Sequence, residues 1–237
     1  MMVAVNGTQV NPTKTKRILI IGYSFSGQTS GLVRQILTAL QQEGHEVVKE
    51  RLTPEPALKF PTSSIWTCLA MMLTTFLRIR TPIQALSPVC FTGFDLIILA
   101  GPTWSYNPSG PILSLIDRDG KRLFAGQTVL PVISCRGYWR MHRWGLVRLL
   151  VRTGARVPNC IVFSHPNREP WRTIGVFLKI AGKTPERWPI LRRHYTHFGH
   201  SRDQQDEAAR FGTLIGQALS RGESLAEIEF HTPLALP

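Results

Sequence analysis

Five residues, Ser24, Ser26, Gly27, Gln28 and Thr29, lie in the stretch Gly-Tyr-Ser-Phe-Ser-Gly-Gln-Thr-Ser-Gly at 22–31, between the apolar run Ile18–Ile21 and an amphipathic segment beginning near Thr29. A strand that empties into a hydroxyl-rich loop and turns at once into a helix makes a phosphate cradle, because loop amides and the helix N-terminus converge with partial positive charge. The hydroxyls of Ser24, Ser26 and Thr29 can donate to phosphate oxygens, and Gly27 lets the backbone come close. No lysine lies in the loop, and neither Gly-x-x-x-x-Gly-Lys-Ser/Thr nor Gly-x-Gly-x-x-Gly occurs. Nothing therefore points to the metal-assisted chemistry of a nucleotide hydrolase. Hydroxyls without a cation suit a lone monophosphate ester; the bland reading is an ordinary turn rich in Ser and Gly.

Two further stretches follow apolar runs in the same way. Gly101-Pro102-Thr103-Trp104-Ser105-Tyr106-Asn107-Pro108 comes after Phe94–Ala100, and Ser134-Cys135-Arg136-Gly137-Tyr138-Trp139 after Thr128–Ile133. The rings of Trp104 and Tyr106 can stack on a flat ring system, while Asn107 and the backbone of Pro102, Thr103 and Ser105 can hydrogen-bond its polar edge. Ser134, Cys135, Arg136, Gly137 and Trp139 add a fixed cation and more aromatic surface. Arg136 and Tyr106 are the candidate catalytic groups. Against these stand plainer roles: the aromatics as caps of a sheet, and Arg136 as partner of a surface carboxylate.

Ser24-Phe-Ser-Gly-Gln-Thr29 resembles the phosphate loop of flavodoxins, which holds the FMN phosphate, with Gln28 where flavodoxins usually carry Asn. With the three loops in their order, residues 17–222 resemble the flavodoxin-like superfamily apart from two insertions. The phrases Phe-Asp-Leu-Ile-Ile-Leu-Ala (94–100), Ser-Cys-Arg-Gly-Tyr-Trp (134–139), Thr-Gly-Ala-Arg-Val (153–157), Ile-Ala-Gly-Lys (180–183) and Ala-Arg-Phe-Gly (209–212) resemble the bacterial flavodoxin-like proteins of dialkylresorcinol biosynthesis. That resemblance implies FMN as cofactor and an oxidative step that aromatises a lipid-like cyclohexanedione; NAD(P)H is a separate candidate reductant. Arg136 near the pyrimidine end of the flavin would stabilise its anionic reduced form and raise its potential. The sequence departs from that family in the second loop, richer in Tyr and Asn, and in a first insertion poorer in aromatics. A flavodoxin-type electron carrier is the alternative, against which the basic charge weighs. A third class is a surface or interaction protein without flavin.

The elements that must position these loops alternate strand and helix. The expected strands are Arg17–Tyr23, Glu46–Leu52, Phe94–Gly101, Thr128–Ser134 and Asn159–Ser164. The expected helices are Thr29–Glu43, a short one from Ser109 to Ile116, one from the third loop through Thr153, and Ser201–Ser220, the last opened by a capping box of Ser201 and Gln204. Such alternation predicts an α/β fold with a five-stranded parallel sheet and ligands bound outside the carboxyl ends of the strands, and the flavodoxin resemblance implies a doubly wound sheet in the order 2-1-3-4-5. Residues 1–16 read as a disordered N-terminal tail, about 53–92 and 165–200 as insertions, with a helix at Ile65–Leu77 in the first, and 223–237 as a C-terminal tail.

Of 237 residues 43% are apolar and 18% charged, enough for a packed core. The four cysteines show no metal or Cys-x-x-Cys spacing, and no signal peptide is visible, so a reducing, cytoplasmic setting is expected. His194, His197 and His200 recur at three-residue spacing without an adjacent acid or cysteine, and no metal is expected. Net charge is +13, and Arg136–Arg202 holds 14 Lys/Arg against two acids, so an anionic partner is expected. Arg140, Arg143, Arg148 and Arg152 recur along one helix, and Trp171–Arg193 mixes aromatics with cations. The pattern fits the anionic inner face of a membrane, to which the protein would bind peripherally. A homodimer interface is the other use of the apolar insertions; nucleic acid lacks any motif. Trp66, Met71, Met72, Phe76, Phe177 and Leu178 are expected to line a pocket for a lipid-like small-molecule substrate.

Overall fold

The computed structural model describes residues 15–62, 64–189, 191–195 and 198–236, so all but the last two residues of the expected N-terminal tail lie outside the described residues. Strands are β1 (Arg17–Gly22), β2 (Glu46–Arg51), β3 (Leu96–Trp104), β4 (Asn107–Pro108), β5 (Val129–Cys135) and β6 (Ile161–Ser164). Helices are α1 (Gln28–Gln42), α2 (Ile65–Phe76), α3 (Gly110–Phe124), α4 (Trp139–Arg152), α5 (Trp171–Ile180) and α6 (Arg202–Arg221). The sheet order is β2-β1-β3-β5-β6, all parallel, with β4 paired antiparallel to the end of β3. Setting β4 aside, this is the expected 2-1-3-4-5 order. The winding reverses between β1 and β3, which opens a crevice at their carboxyl ends.

Alternation along the strands feeds two apolar layers. Ile18, Ile20, Ile98, Val132 and Phe163 pack with Leu32 and Ile36 of α1 and Phe211 and Ile215 of α6. Leu19, Ile21, Ile97, Leu99 and Ile133 pack with Leu115 and Phe124 of α3 and Leu146 and Leu150 of α4. Strands buried on both faces explain the unbroken apolar runs of the central strands, and the polar β2 is at the edge. The capping box of Ser201 and Gln204 is formed.

Several boundaries differ from the sequence reading. The helix expected at Ser109–Ile116 runs on to Phe124, because Leu123 and Phe124 return to the core after the polar turn Asp117–Asp119. Pro102–Pro108 is a hairpin where a plain loop was expected: β3 continues to Trp104, and Ser105 (φ 42°) and Tyr106 (φ 68°) make the turn into β4. Two successive positive φ values give the turn twist that suits a two-residue hairpin. Residues 223–236 complete the domain: Phe230 and Ala235 are buried, and the Leu236 amide donates to the Val162 carbonyl at 2.7 Å.

The first insertion is pinned at its base, where the Glu55 amide donates to the Pro82 carbonyl and the Gln84 amide to the Thr53 carbonyl, both at 2.9 Å. Ser64 caps α2 by accepting from the Thr67 amide at 3.2 Å. The Thr62 amide donates to the Ile180 carbonyl at 2.7 Å, which ties the start of α2 to the end of α5. The two insertions thus meet each other. No described helix is long and apolar enough to cross a membrane.

Candidate functional site

The phosphate-cradle sequence folds as a tight turn into α1. Gly27 is the N-cap with φ 84°, and nothing lies within 4 Å of where a Cβ would be, so the backbone conformation and not space demands glycine here. No side chain caps the helix, and the amides of Ser26, Gly27, Gln28 and Thr29 meet no acceptor among the described residues. Free amides at a helix start carry partial positive charge, and Ser26, Gln28 and Thr29 are among the residues that line the adjoining pocket. Ser24 acts within the turn itself, where its Oγ accepts from the Ser30 amide at 3.2 Å and braces the backbone.

The pocket is a cleft partly open to solvent, with a cavity volume of about 110 Å³. From the second stretch Pro102, Thr103, Trp104 and Ser105 reach it; Tyr106 and Asn107 do not. Trp104 stands edge-on to Tyr23 (5.7 Å between centroids) and Phe25 (5.4 Å). Tyr106, swung away by the hairpin turn, is 40% exposed and meets Tyr138. The Asn107 amide group is spent on the carbonyls of Thr75 and Ser105, at 3.3 and 3.0 Å. The stacking partner expected of Tyr106 is thus not placed beside Trp104.

From the third stretch Ser134, Cys135 and Arg136 line the pocket. Trp139 is buried in the core under α4, and Gly137 (φ 148°) faces the Arg172 guanidinium. Arg136 is the one Lys or Arg among the lining residues, and no Asp or Glu lines the pocket. Its guanidinium lies 4.5 Å over the Phe177 ring, and its Nη1 is buried with no hydrogen-bond partner among the described residues. Burial pulls its pKa below the usual arginine value, opposed mainly by Glu169. The carboxylate expected to absorb Arg136 is elsewhere: Glu169 pairs with Arg172 at 3.0 Å.

Three histidines stand at or behind the pocket; of these the sequence singled out only His200, in a series considered for metal. His142 follows Trp139 and precedes Leu146 and Leu150 on the buried face of α4, a spacing that could have revealed it. Its Nδ1 lies 2.6 Å from the Thr103 hydroxyl, and burial drops its pKa to about 3. His200 Nε2 lies 2.8 Å from Ser134 Oγ, and His200 Nδ1 3.2 Å from Gln204 Oε1. The Gln204 amide nitrogen donates to the Ser164 and Leu234 carbonyls, which turns Oε1 to the ring. In the neutral ring Nδ1 then donates, and the Ser134 hydroxyl donates to Nε2. His165 lines the pocket and stacks on Tyr195. Of the His194–His197–His200 series, His197 lies outside the described residues and His194 stacks on Trp171. No group of His, Cys, Asp and Glu able to hold a metal occurs among the described residues. All four cysteines are free and buried.

The two insertions roof the pocket. Cys68, Met71, Met72 and Thr75 of α2 and Val176, Phe177 and Ile180 of α5 line it, with Phe25 and Phe198. Trp66 and Phe76, expected inside, face outward at 77% and 61% exposure. Leu178 is half-buried and outside the lining. Gly175 lets α5 settle on Tyr195, whose ring would overlap any Cβ placed there.

No family model and no curated protein matches this chain. Among solved structures it is similar to a flavoprotein from Lactobacillus acidophilus in complex with FMN, at 19% identity and TM-score 0.51 over 62% of this chain and 93% of that one. It is also similar to a provisionally named flavoprotein from Bacteroides eggerthii, at 16% identity and TM-score 0.50 over 72% of this chain and 100% of that one. At such identity the likeness concerns the fold, and the fold is the flavodoxin-like α/β sandwich.

Proposed function

We propose that the protein is an FMN-dependent oxidoreductase acting on a small aromatic, quinone-like or cyclic-diketone substrate, lipid-like in its apolar part. The observation that carries this reading is the convergence on one pocket of helix-start amides with no protein acceptor, a buried guanidinium nitrogen with no hydrogen-bond partner among the described residues and a largely apolar roof. FMN matches these features in turn. Ser26, Thr29 and the amides of residues 26–29 would hold the phosphate; Trp104 would cover the ring system; Arg136 would face its electron-rich edge. Bound there, FMN supplies two-electron redox chemistry.

The chain's own residues do the rest. Thr103 and Ser134 present hydroxyls whose orientation is set from behind by His142 and His200. The neutral His142 keeps the Thr103 oxygen in place at any physiological pH. Met71, Met72, Val176, Phe177 and Ile180 exclude water and accept an apolar substrate. Oxidative aromatisation of a cyclic diketone in a biosynthetic pathway is the specific reaction proposed: the substrate loses two electrons and two protons, which a small acceptor such as a quinone or dioxygen finally takes up, and NAD(P)H would serve as reductant only if a quinone-like substrate is reduced instead.

A one-electron carrier needs its cofactor edge open to a protein partner, and here two helices roof the site, which favours small-molecule chemistry. The test is the purified protein incubated with FMN, NAD(P)H and a soluble quinone. Continuous NAD(P)H oxidation without any partner protein supports the enzyme; bound FMN without turnover of any small acceptor supports the carrier.

A further inference from the structure

Helix α2 has two apolar faces and only one of them is covered. Cys68, Met71, Met72 and Thr75 line the pocket. At about 100° per residue the opposite side carries Trp66, Leu69, Leu73 and Phe76. These four are 77%, 49%, 60% and 61% exposed, and Leu77 (60%) and Ile79 (51%) extend the strip. No charged residue occurs from Phe60 to Leu77, so the outer face lacks the charges a solvent-facing helix normally shows. A contiguous apolar surface of this kind marks an interaction site.

The helix is held in place with that face outward. The Ser105 hydroxyl donates to the Met72 carbonyl at 2.9 Å, Asn107 donates to the Thr75 carbonyl at 3.3 Å, and Thr62 is bonded to Ile180. Exposed Lys183 and Arg187 follow α5 just beyond the Thr62–Ile180 junction, beside the 44%-exposed Trp188, while Arg80 at the other end is paired with Asp117 at 2.6 Å. The wider stretch Arg136–Arg202 carries 14 Lys/Arg against two acids.

We propose that the outer face of α2 inserts shallowly into an anionic lipid bilayer, with Lys183 and Arg187 on headgroups and Trp66 and Trp188 at the boundary. An apolar strip with a cationic rim is the pattern of an interfacial helix. A second copy fits less well, because packing α2 on α2 would bring two cationic rims together. The docking itself does not depend on the flavin. Its consequence does rest on the proposed function: one helix thickness would separate the lipid from the pocket, giving an apolar substrate a direct route.

The full chain is co-sedimented with vesicles of phosphatidylglycerol in phosphatidylcholine, and with phosphatidylcholine alone, across rising salt. The expected result is binding to the anionic vesicles that weakens with salt. Leu69→Glu with Leu73→Glu should lower that binding roughly tenfold or more, with melting temperature retained because both positions are exposed. Bromine-labelled lipid chains should quench tryptophan emission in the wild type, and Trp66→Phe should remove most of that quenching. No binding, binding equal on both vesicles, or binding indifferent to the Glu substitutions overturns the proposal. So does a dimer in solution that the Glu substitutions dissociate, which would make this face an interface between copies. FMN retention is measured on the same samples: its absence refutes the flavin reading and leaves the docking result standing.

Discussion

The Thr103 hydroxyl and His142 Nδ1 lie 2.6 Å apart, joining the end of β3 to the buried face of α4 beneath the pocket. His142 is 2% exposed, and its pKa falls from the usual 6.5 to about 3 because burial penalises the charged ring. Between those values the unfolded chain binds a proton that the folded chain refuses. Stability is therefore full above about pH 6.5 and is lost as pH falls through the window, by up to about 1.4 kcal/mol per pH unit.

His142→Leu should be less stable than wild type near neutral pH by about 1–3 kcal/mol, because Thr103 loses its partner. That gap should close or invert as pH falls toward about 4, since only the wild type carries the proton penalty. Denaturant melts across the range check this; parallel curves would show that His142 takes up its proton in the folded state.

Arg136→Met separates binding from folding. A partly buried cation with an unsatisfied nitrogen is a cost to the empty protein, so the flavin-free variant should be as stable as wild type or more so, by up to about 2 kcal/mol. FMN affinity should drop by about 1–3 kcal/mol. Thermal melts with and without FMN read both signs; a variant that is less stable when empty and unchanged in affinity would assign Arg136 a structural role.

Trp104→Ala should relieve quenching of bound flavin fluorescence, and Tyr106→Ala should not, because only Trp104 lines the pocket. Equal effects of the two would return Tyr106 to the site.

Gly175→Ala sets a methyl against the Tyr195 ring and should push α5 from its seat. The cost is about 1–3 kcal/mol of stability from overpacking, with faster exchange of amide hydrogens along α5. An unchanged melting temperature would mean that the ring yields without moving the helix.

The strands were readable because buried parallel strands must be apolar throughout, as in Ile18–Ile21 and Leu96–Ala100, whereas their order followed from the resemblance to flavodoxins. The tight turn into α1 was readable because Gly27 acts locally, through its own backbone conformation. Tyr106 was misjudged because ring orientation depends on a hairpin formed by two residues with positive φ, and neither is the Gly, Asn or Asp that signals such a turn. The roles of Asn107 and Trp139 are set by the distant Thr75 carbonyl and by the core, to which spacing is blind, and Ser24 is turned inward by the nearby Ser30 amide. Trp66 and Phe76 shared a helix with Met71 and Met72, but an all-apolar helix carries no sign of which face is inward. The histidines behind Thr103 and Ser134 come from α4 and from the end of the second insertion, so only the folded chain unites them.

The central claim is that the cradle at Ser26–Thr29 holds the phosphate of FMN. Titrating the flavin-free protein with FMN and with riboflavin, by flavin fluorescence, tests it most directly. The account predicts quenching that saturates at one FMN per chain, with riboflavin bound at least about tenfold more weakly, and the difference erased by Ser26→Ala with Thr29→Ala. Equal affinity for the two flavins, or no binding of FMN, would contradict it.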